Sequence, residues 1–178
     1  YLGFGFVKHC REPVERWSHR EPFEIGYASG AALLAKRSVL ERIGILDEKF
    51  FMYHEDLDLC WRAKLAGYRV MLAPRAVVHH YYEFNRNKKM LYWTERNRWA
   101  VLLQNYSVKT LILLAPMLAA VEVMMLLYSV MGGWFGQKLK SYGWVWLNLP
   151  SIFKQRRRVQ SARTMSDRKV CKTMDAGF

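Results

Sequence analysis

The chain has 178 residues, 52% of them hydrophobic, with a formal net charge of +13 and three cysteines. That length holds one domain with a proper core. Cys10, Cys60 and Cys171 are isolated and odd in number, which excludes a disulfide scaffold and a zinc site of CxxC spacing and fits a reducing compartment. The charge is uneven: residues 1–84 are close to neutral, and residues 85–178 carry nearly all of the excess. The second half is therefore expected to meet something anionic, either a membrane surface or nucleic acid.

The first residue is Tyr, and the opening residues read as mid-domain, so a fragment is expected; no signal peptide pattern is visible. Tyr1 to Val7 reads as a strand or loop edge, and residues 8–24, with Pro13 and Pro22, as a surface loop. Phe23 to Ala35 contains GYASG, where two glycines permit positive φ or close backbone approach. A bend between strands and a ligand-lining loop both fit it. Ser38 to Gly44 predicts a short helix, with Ser38 and Glu41 at capping-box spacing and Gly44 as its end.

Phe50 to Leu65, FFMYHEDLDLCWRAKL, packs aromatics, a histidine and three carboxylates into nine residues, then becomes helical. Leu57, Cys60, Trp61 and Leu65 form an apolar helical face, with Gly67 at the C′ position. Glu55 and Asp56 thus sit at the mouth of a helix. They either cap it, or form a site that holds a carboxylate ready for a proton or a metal. The run YRVMLA predicts a buried strand stopped by Pro74, and AVVHHYY a second one carrying His79 and His80. That histidine pair reads as structural, solvated, or metal-ligating.

From Glu83 the chain mixes Arg, Lys and Asn with Tyr and Trp, as a phosphate-binding face or a membrane-interface helix would. Leu111 to Met131 is apolar and long enough to span a bilayer. Glu122 and Pro116 within it weigh against a simple span and leave an in-plane or re-entrant helix as the alternative. The tail is strongly basic, and Lys154 to Arg158 (KQRRR) follows an apolar run with Trp144, Trp146 and Leu147. Anionic lipid on the cytoplasmic face is the preferred partner. Nucleic acid is set aside, because the long apolar stretch has no role in a nucleic-acid-binding domain.

The segment from Gly26 to Asn97 resembles the second half of the catalytic domain of family 2 glycosyltransferases, of the rhamnosyltransferase-like and galactofuranosyltransferase-like kind. The SG turn, the helix ending in Gly-x-x-Asp, the ED motif, the D-L-x-R-x-x-x-x-G-Y helix and the Pro-x-A-V-V stretch ending in histidine occur in the same order. The Arg96–Asn97–Arg98 run and the apolar-then-basic tail resemble the membrane-associating end of such enzymes. The resemblance implies an α/β fold, here a partial nucleotide-diphospho-sugar transferase (GT-A) fold, followed by a helical membrane-associating region. It implies inverting transfer of a sugar from a nucleotide-sugar donor to a glycan or lipid-linked acceptor in cell-envelope polysaccharide synthesis. Asp56 matches the family's base, and Glu55 would orient it or hold acceptor hydroxyls. Ser29, Gly30 and Tyr53 would line the acceptor pocket. Trp61 is a stacking candidate, although core packing suits it better. A divalent metal, Mg²⁺ or Mn²⁺, is implied, with His80 as its ligand here and His79 as the fallback.

One departure matters. The family's donor-binding half, with its Asp-x-Asp, precedes the ED region and has no counterpart in these residues; Asp56-Leu57-Asp58 matches that pattern only literally. Residues 1–98 are therefore read as the acceptor-side half of the catalytic domain, with the donor site mostly outside the chain and the fragment inactive alone. Residues 99–178 are read as the membrane-associated region, peripheral or single-span at the cytoplasmic face. The alternative is a non-enzymatic, membrane-tethered adaptor that binds anionic lipid.

Overall fold

Helix α3, Glu55–Leu65, packs against α2 (Arg37–Ile43), α4 (Lys88–Asn105), α6 (Phe135–Ala162) and α7 (Asp167–Met174) in the computed structural model, which describes residues 2–5, 12–81 and 87–174. Cys10, parts of the expected Tyr1–Val7 edge and 8–24 loop, Tyr82, and the start of the run from Glu83 fall outside them. Among the described residues α1 covers Glu15–Ser18 and α5 Val108–Met131. Two short strands, β1 (Phe23–Glu24) and β2 (Met71–Leu72), pair antiparallel with Phe23 opposite Leu72.

The described residues are thus mostly helical, where an α/β fold was expected. Of the YRVMLA strand only Met71–Leu72 forms a ladder. The AVVHHYY run forms none over its described residues, and Val77 to Tyr81 are exposed. A strand needs a neighbour to take its N–H and C=O groups, and among the described residues only β1 offers one to β2.

The predicted apolar face of α3 is buried, but so is the rest of the helix from Leu57 onward. Leu57, Trp61 and Leu65 join Val101, Leu102 and Tyr106 of the α4 end, Ile152 and Val159 of α6, and Val170 of α7. Trp61 meets Tyr106 edge-on at 4.8 Å between ring centroids, so it is a core residue and not a stacking platform. Leu59, Ala63 and Ala66 form a second cluster with Ile43 of α2. Burying a helix all round requires partners for its charges. Asp58 accepts from Arg62 Nε at 2.7 Å and from Asn105 Nδ2 at 2.8 Å. Arg62 donates onward to the carbonyls of Ile43, Gly44 and Ile45 at 2.6, 3.1 and 2.9 Å. Lys64 pairs with Glu24 at 2.7 Å. The helix ends as the glycine predicted. Gly67 has φ +90°, and the N–H groups of Gly67 and Tyr68 return to Lys64 and Ala63 at 3.0 Å each, the paired bonds of a Schellman cap.

Helix α2 also ends at its glycine, Gly44 (φ +83°), but its start differs from expectation. Lys36 is the N-cap residue, and no side chain caps it. Ser38 therefore lies inside the first turn, and Glu41 pairs with Arg37 at 2.9 Å instead of closing a capping box.

Helices α4, α5 and α6 meet through a buried charge network. Arg98 pairs with Glu95 at 3.2 Å and Glu122 at 2.5 Å; Lys138 contacts both carboxylates, and Tyr142 donates to Glu122. Glu122, the carboxylate in the apolar stretch, is thus turned toward two cations on neighbouring helices. Much of α5 otherwise presents apolar side chains outward, Ile112, Leu113, Met124 and Met131 among them, and it is long and apolar enough to cross a membrane. Near its C-terminus α6 turns polar groups onto the last carbonyls of α4. Arg156 donates to Leu103 and Tyr106, Gln160 to Gln104 and Asn105, and Arg163 to Asn105. One arginine of the KQRRR cluster therefore caps a helix, while Lys154, Arg157 and Arg158 remain exposed. Residues 98 and 99, either side of the boundary drawn from sequence, are consecutive in the middle of α4.

Candidate active site

The residues before α3 form an unusual loop. Asp47 caps a 3-10 turn, Glu48–Phe50, by accepting from the Lys49 N–H at 3.1 Å. Phe51, Tyr53 and His54 then take φ of +58°, +68° and +68°. That is left-handed territory, costly for side-chain-bearing residues. Phe50 anchors the turn in the core, and exposed Phe51 rests on Trp93 with ring centroids 5.2 Å apart. His54 is the N-cap residue of α3 and makes no side-chain cap. Its Nε2 instead donates to the Gly3 carbonyl at 2.9 Å, which leaves Nδ1 buried without a partner. Burial pushes this imidazole below its ordinary pKa, against the pull of the Gly3 bond.

The loop delivers two carboxylates to the first turn of α3. Asp56 Oδ2 accepts from the Gly30 N–H at 2.9 Å, and Oδ1 from the Leu57 N–H at 2.7 Å. Glu55 is half-buried; burial raises its pKa, its own backbone N–H opposes the rise, and Asp56 adds to it. Its Oε2 is buried without a hydrogen-bond partner. The Gly30 N–H belongs to the 27–30 loop, which docks on α3 a second time where the Ala28 N–H meets Cys60 Sγ at 3.4 Å. Ser29 Oγ accepts from Ala31 N–H at 3.4 Å and so caps the 3-10 turn Gly30–Ala32. A Cβ at Gly30 would meet Asp56 Cβ at 3.8 Å, an ordinary contact. The glycine is therefore compatible with the pairing without being forced by it. Tyr27 feels the same carboxylate: burial and then the Asp56 charge raise its pKa.

The GYASG turn and the ED stretch, about 26 residues apart in sequence, are thus brought together, with Tyr53 in the adjoining loop. His80 is exposed. Among the described residues no group of three or more His, Cys, Asp or Glu side chains could hold a metal ion. Asp58 is committed to Arg62 and Asn105, so Asp56-Leu57-Asp58 is not a two-carboxylate chelate.

Sequence reading missed Arg96 and Asn97, which it placed at the membrane end. They are buried beneath the loop. Asn97 Nδ2 lies 2.9, 2.8 and 2.8 Å from the carbonyls of Phe50, Met52 and Tyr53. Arg96 Nη2 reaches Lys49 O at 2.9 Å and Phe50 O at 3.2 Å. The only hint in the sequence was that polar residues stand where α4 continues into the apolar run Trp99 to Leu103.

The class is shown by the sequence of the segment that holds this carboxylate and loop. Residues 10–101 match the profile of glycosyltransferase like family 2, and the chain belongs to that family. It is 43% identical over 68 residues to the N-acetylglucosaminyl-diphospho-decaprenol L-rhamnosyltransferase of Mycobacterium tuberculosis, covering 36% of this chain and 22% of that protein. It is 32% identical over 76 residues to rhamnosyltransferase WbbL of Escherichia coli, covering 42% and 27%. It is 42% identical over 40 residues to the low-salt glycan biosynthesis hexosyltransferase Agl10 of Haloferax volcanii, covering 22% and 13%. The matched segments thus span about a quarter or less of these relatives. No solved structure matches the chain.

Proposed function

We propose that the chain is the acceptor-side part, with a membrane-associating region, of an inverting glycosyltransferase that moves a sugar, rhamnose or another hexose, from a nucleotide-sugar donor to a glycan or lipid-linked acceptor in cell-envelope polysaccharide synthesis. The observation that carries this reading is the grip of the Gly30 N–H on Asp56 at the start of α3. Asp56 takes the proton of an acceptor hydroxyl as that oxygen bonds to the anomeric carbon of the donor. The bond from that carbon to the nucleoside diphosphate breaks, its electron pair leaves with the diphosphate, and the configuration inverts. Glu55, with a buried unpartnered oxygen, holds acceptor hydroxyls or orients the base. Ser29, Gly30 and Tyr53 line the acceptor side. The donor site lies mostly outside this chain.

A divalent metal, Mg²⁺ or Mn²⁺, with His80 as a ligand, belongs to the proposal through the family likeness. The described residues do not gather a donor set that fits one, so no step is routed through it. Helix α5 is assigned to the membrane, spanning it or lying in it, at the cytoplasmic face. Its outward apolar side chains support this, as do exposed Lys154, Arg157 and Arg158, which are suited to anionic headgroups. The test is Asp56→Asn in the full-length protein that carries this chain, assayed for sugar transfer to a lipid-linked acceptor. A general base contributes on the order of 10²–10⁴-fold, so transfer falls at least about 100-fold while donor binding stays. Turnover near the wild-type rate refutes Asp56 as the base.

A further inference from the structure

We infer that Asn97 is a positioning residue for the base: it holds the loop Phe50–His54 in the left-handed path that presents Asp56. This rests on the reading of Asp56 as the base.

Three of the four residues 51–54 have positive φ and none is glycine. Such a path persists only where its surroundings over-determine it. The described structure supplies the restraint from α4. The Asn97 amide nitrogen has two hydrogens and stands within 2.9 Å of three loop carbonyls, those of Phe50, Met52 and Tyr53. These carbonyls lie on either side of Phe51 and run up to His54, the helix N-cap. Asn97 itself is fully buried. Arg96 seconds it at Lys49 and Phe50, and its own guanidinium is fixed between Tyr92 and Trp144 at 5.1 and 4.4 Å from the ring centroids. The base loop is therefore tied to α4 and, through Trp144, to α6. Asn97 is far too deep to meet a sugar. Its effect on chemistry passes through the loop, and a displacement of about 1 Å at a catalytic group can cost on the order of 10²-fold.

The test is Asn97→Leu, of similar volume and without donors, in the full-length protein. The expected result is a kcat for transfer lowered about 100-fold, with donor KM and donor binding unchanged. Hydrogen exchange should accelerate at amides 51–57 and stay at wild-type protection in the α4 amides 100–105. Asn97→Gln keeps the two donors on a longer arm, and it should recover part of kcat and of the loop protection. Asn97→Leu with kcat within about threefold of wild type, or with loss that follows only the unfolded fraction, overturns the inference. If Asn97→Leu does not fold, Asn97→Ser, which lacks the amide, decides: unchanged protection at 51–57 together with unchanged kcat overturns it. The exchange readout needs no turnover. A wild-type protein without transferase activity therefore sinks the enzymatic reading, while loss of protection in the variant still establishes what holds the loop.

Discussion

Asp58→Ala is the most exacting test of how α3 is held. Asp58 and Arg62 have side chains 0% and 1% exposed, and they pair at 2.7 Å. Removing the carboxylate strips one acceptor from Arg62 Nε and one from Asn105 Nδ2. It also leaves a guanidinium charge with no counter-charge in contact with it. Breaking one side of such a buried pair costs about 3–5 kcal/mol. Arg62 keeps its carbonyl partners at Ile43, Gly44 and Ile45, and Asn105 keeps Val101 O. The expected loss is therefore at the lower end, about 3 kcal/mol, which is a large share of the roughly 5–15 kcal/mol of a typical domain. Denaturant unfolding of the purified protein measures it, with the midpoint moving and the slope unchanged. The double change Asp58→Ala, Arg62→Met removes the stranded charge and should recover part of the loss. A loss below about 1 kcal/mol, the range of exposed pairs, would refute the claim that burial of this pair holds α3 in place.

Two further outcomes follow from charges the sequence left unplaced. His54 is held neutral in the fold, its pKa lowered by burial. The unfolded chain binds the proton more readily, so stability falls as pH drops below the ordinary histidine value of about 6.5 and continues to fall toward the folded pKa. Replacing His54 by Gln should flatten that part of the stability–pH curve, and an unchanged curve counts against a buried neutral imidazole. Glu122→Ala leaves Arg98 and Lys138, both buried, sharing only Glu95. Thermal unfolding in detergent should show a loss of about 3–5 kcal/mol, with a smaller loss for Glu122→Gln, which keeps hydrogen bonding. An unchanged melting temperature would mean that Glu122 does not dock α5.

What was legible in the sequence was local. The helix over Glu55–Leu65, its apolar positions, and the glycine ends of α2 and α3 all rest on signals within one or two turns, and all three formed. The ED stretch and the SG turn were legible as a pair only through the family likeness, because the Gly30–Asp56 bond spans 26 residues. Polar residues with distant partners were misread. Arg96 and Asn97 reach back 44 to 47 positions to the loop. Arg156 reaches back 50 and 53 positions to the end of α4. In a one-dimensional pattern such residues look like solvated or lipid-facing charge, since nothing near them shows the carbonyls they satisfy. Glu122 was a conflict in the sequence for the same reason: its cations lie 24 residues before and 16 after it.

The chain's own use of glycine bears on why the loop before α3 is strained. At the other positive-φ positions among the described residues glycine is present: Gly3, Gly44, Gly67 and Gly133 have φ of +77°, +83°, +90° and +66°. At 51, 53 and 54 the same backbone region is occupied by Phe, Tyr and His, at a cost of order 1–3 kcal/mol each. A loop shaped for stability alone would carry glycine there as well. The side chains must therefore be worth more than the strain they cause. His54 accounts for itself by its bond to Gly3 and Phe51 in part by its contact with Trp93. Tyr53 is half-buried, and the proposed function puts it on the acceptor side. On that reading Tyr53→Gly, which relieves the strain, raises the acceptor KM. A variant that loses stability and keeps acceptor KM would assign Tyr53 to the scaffold instead.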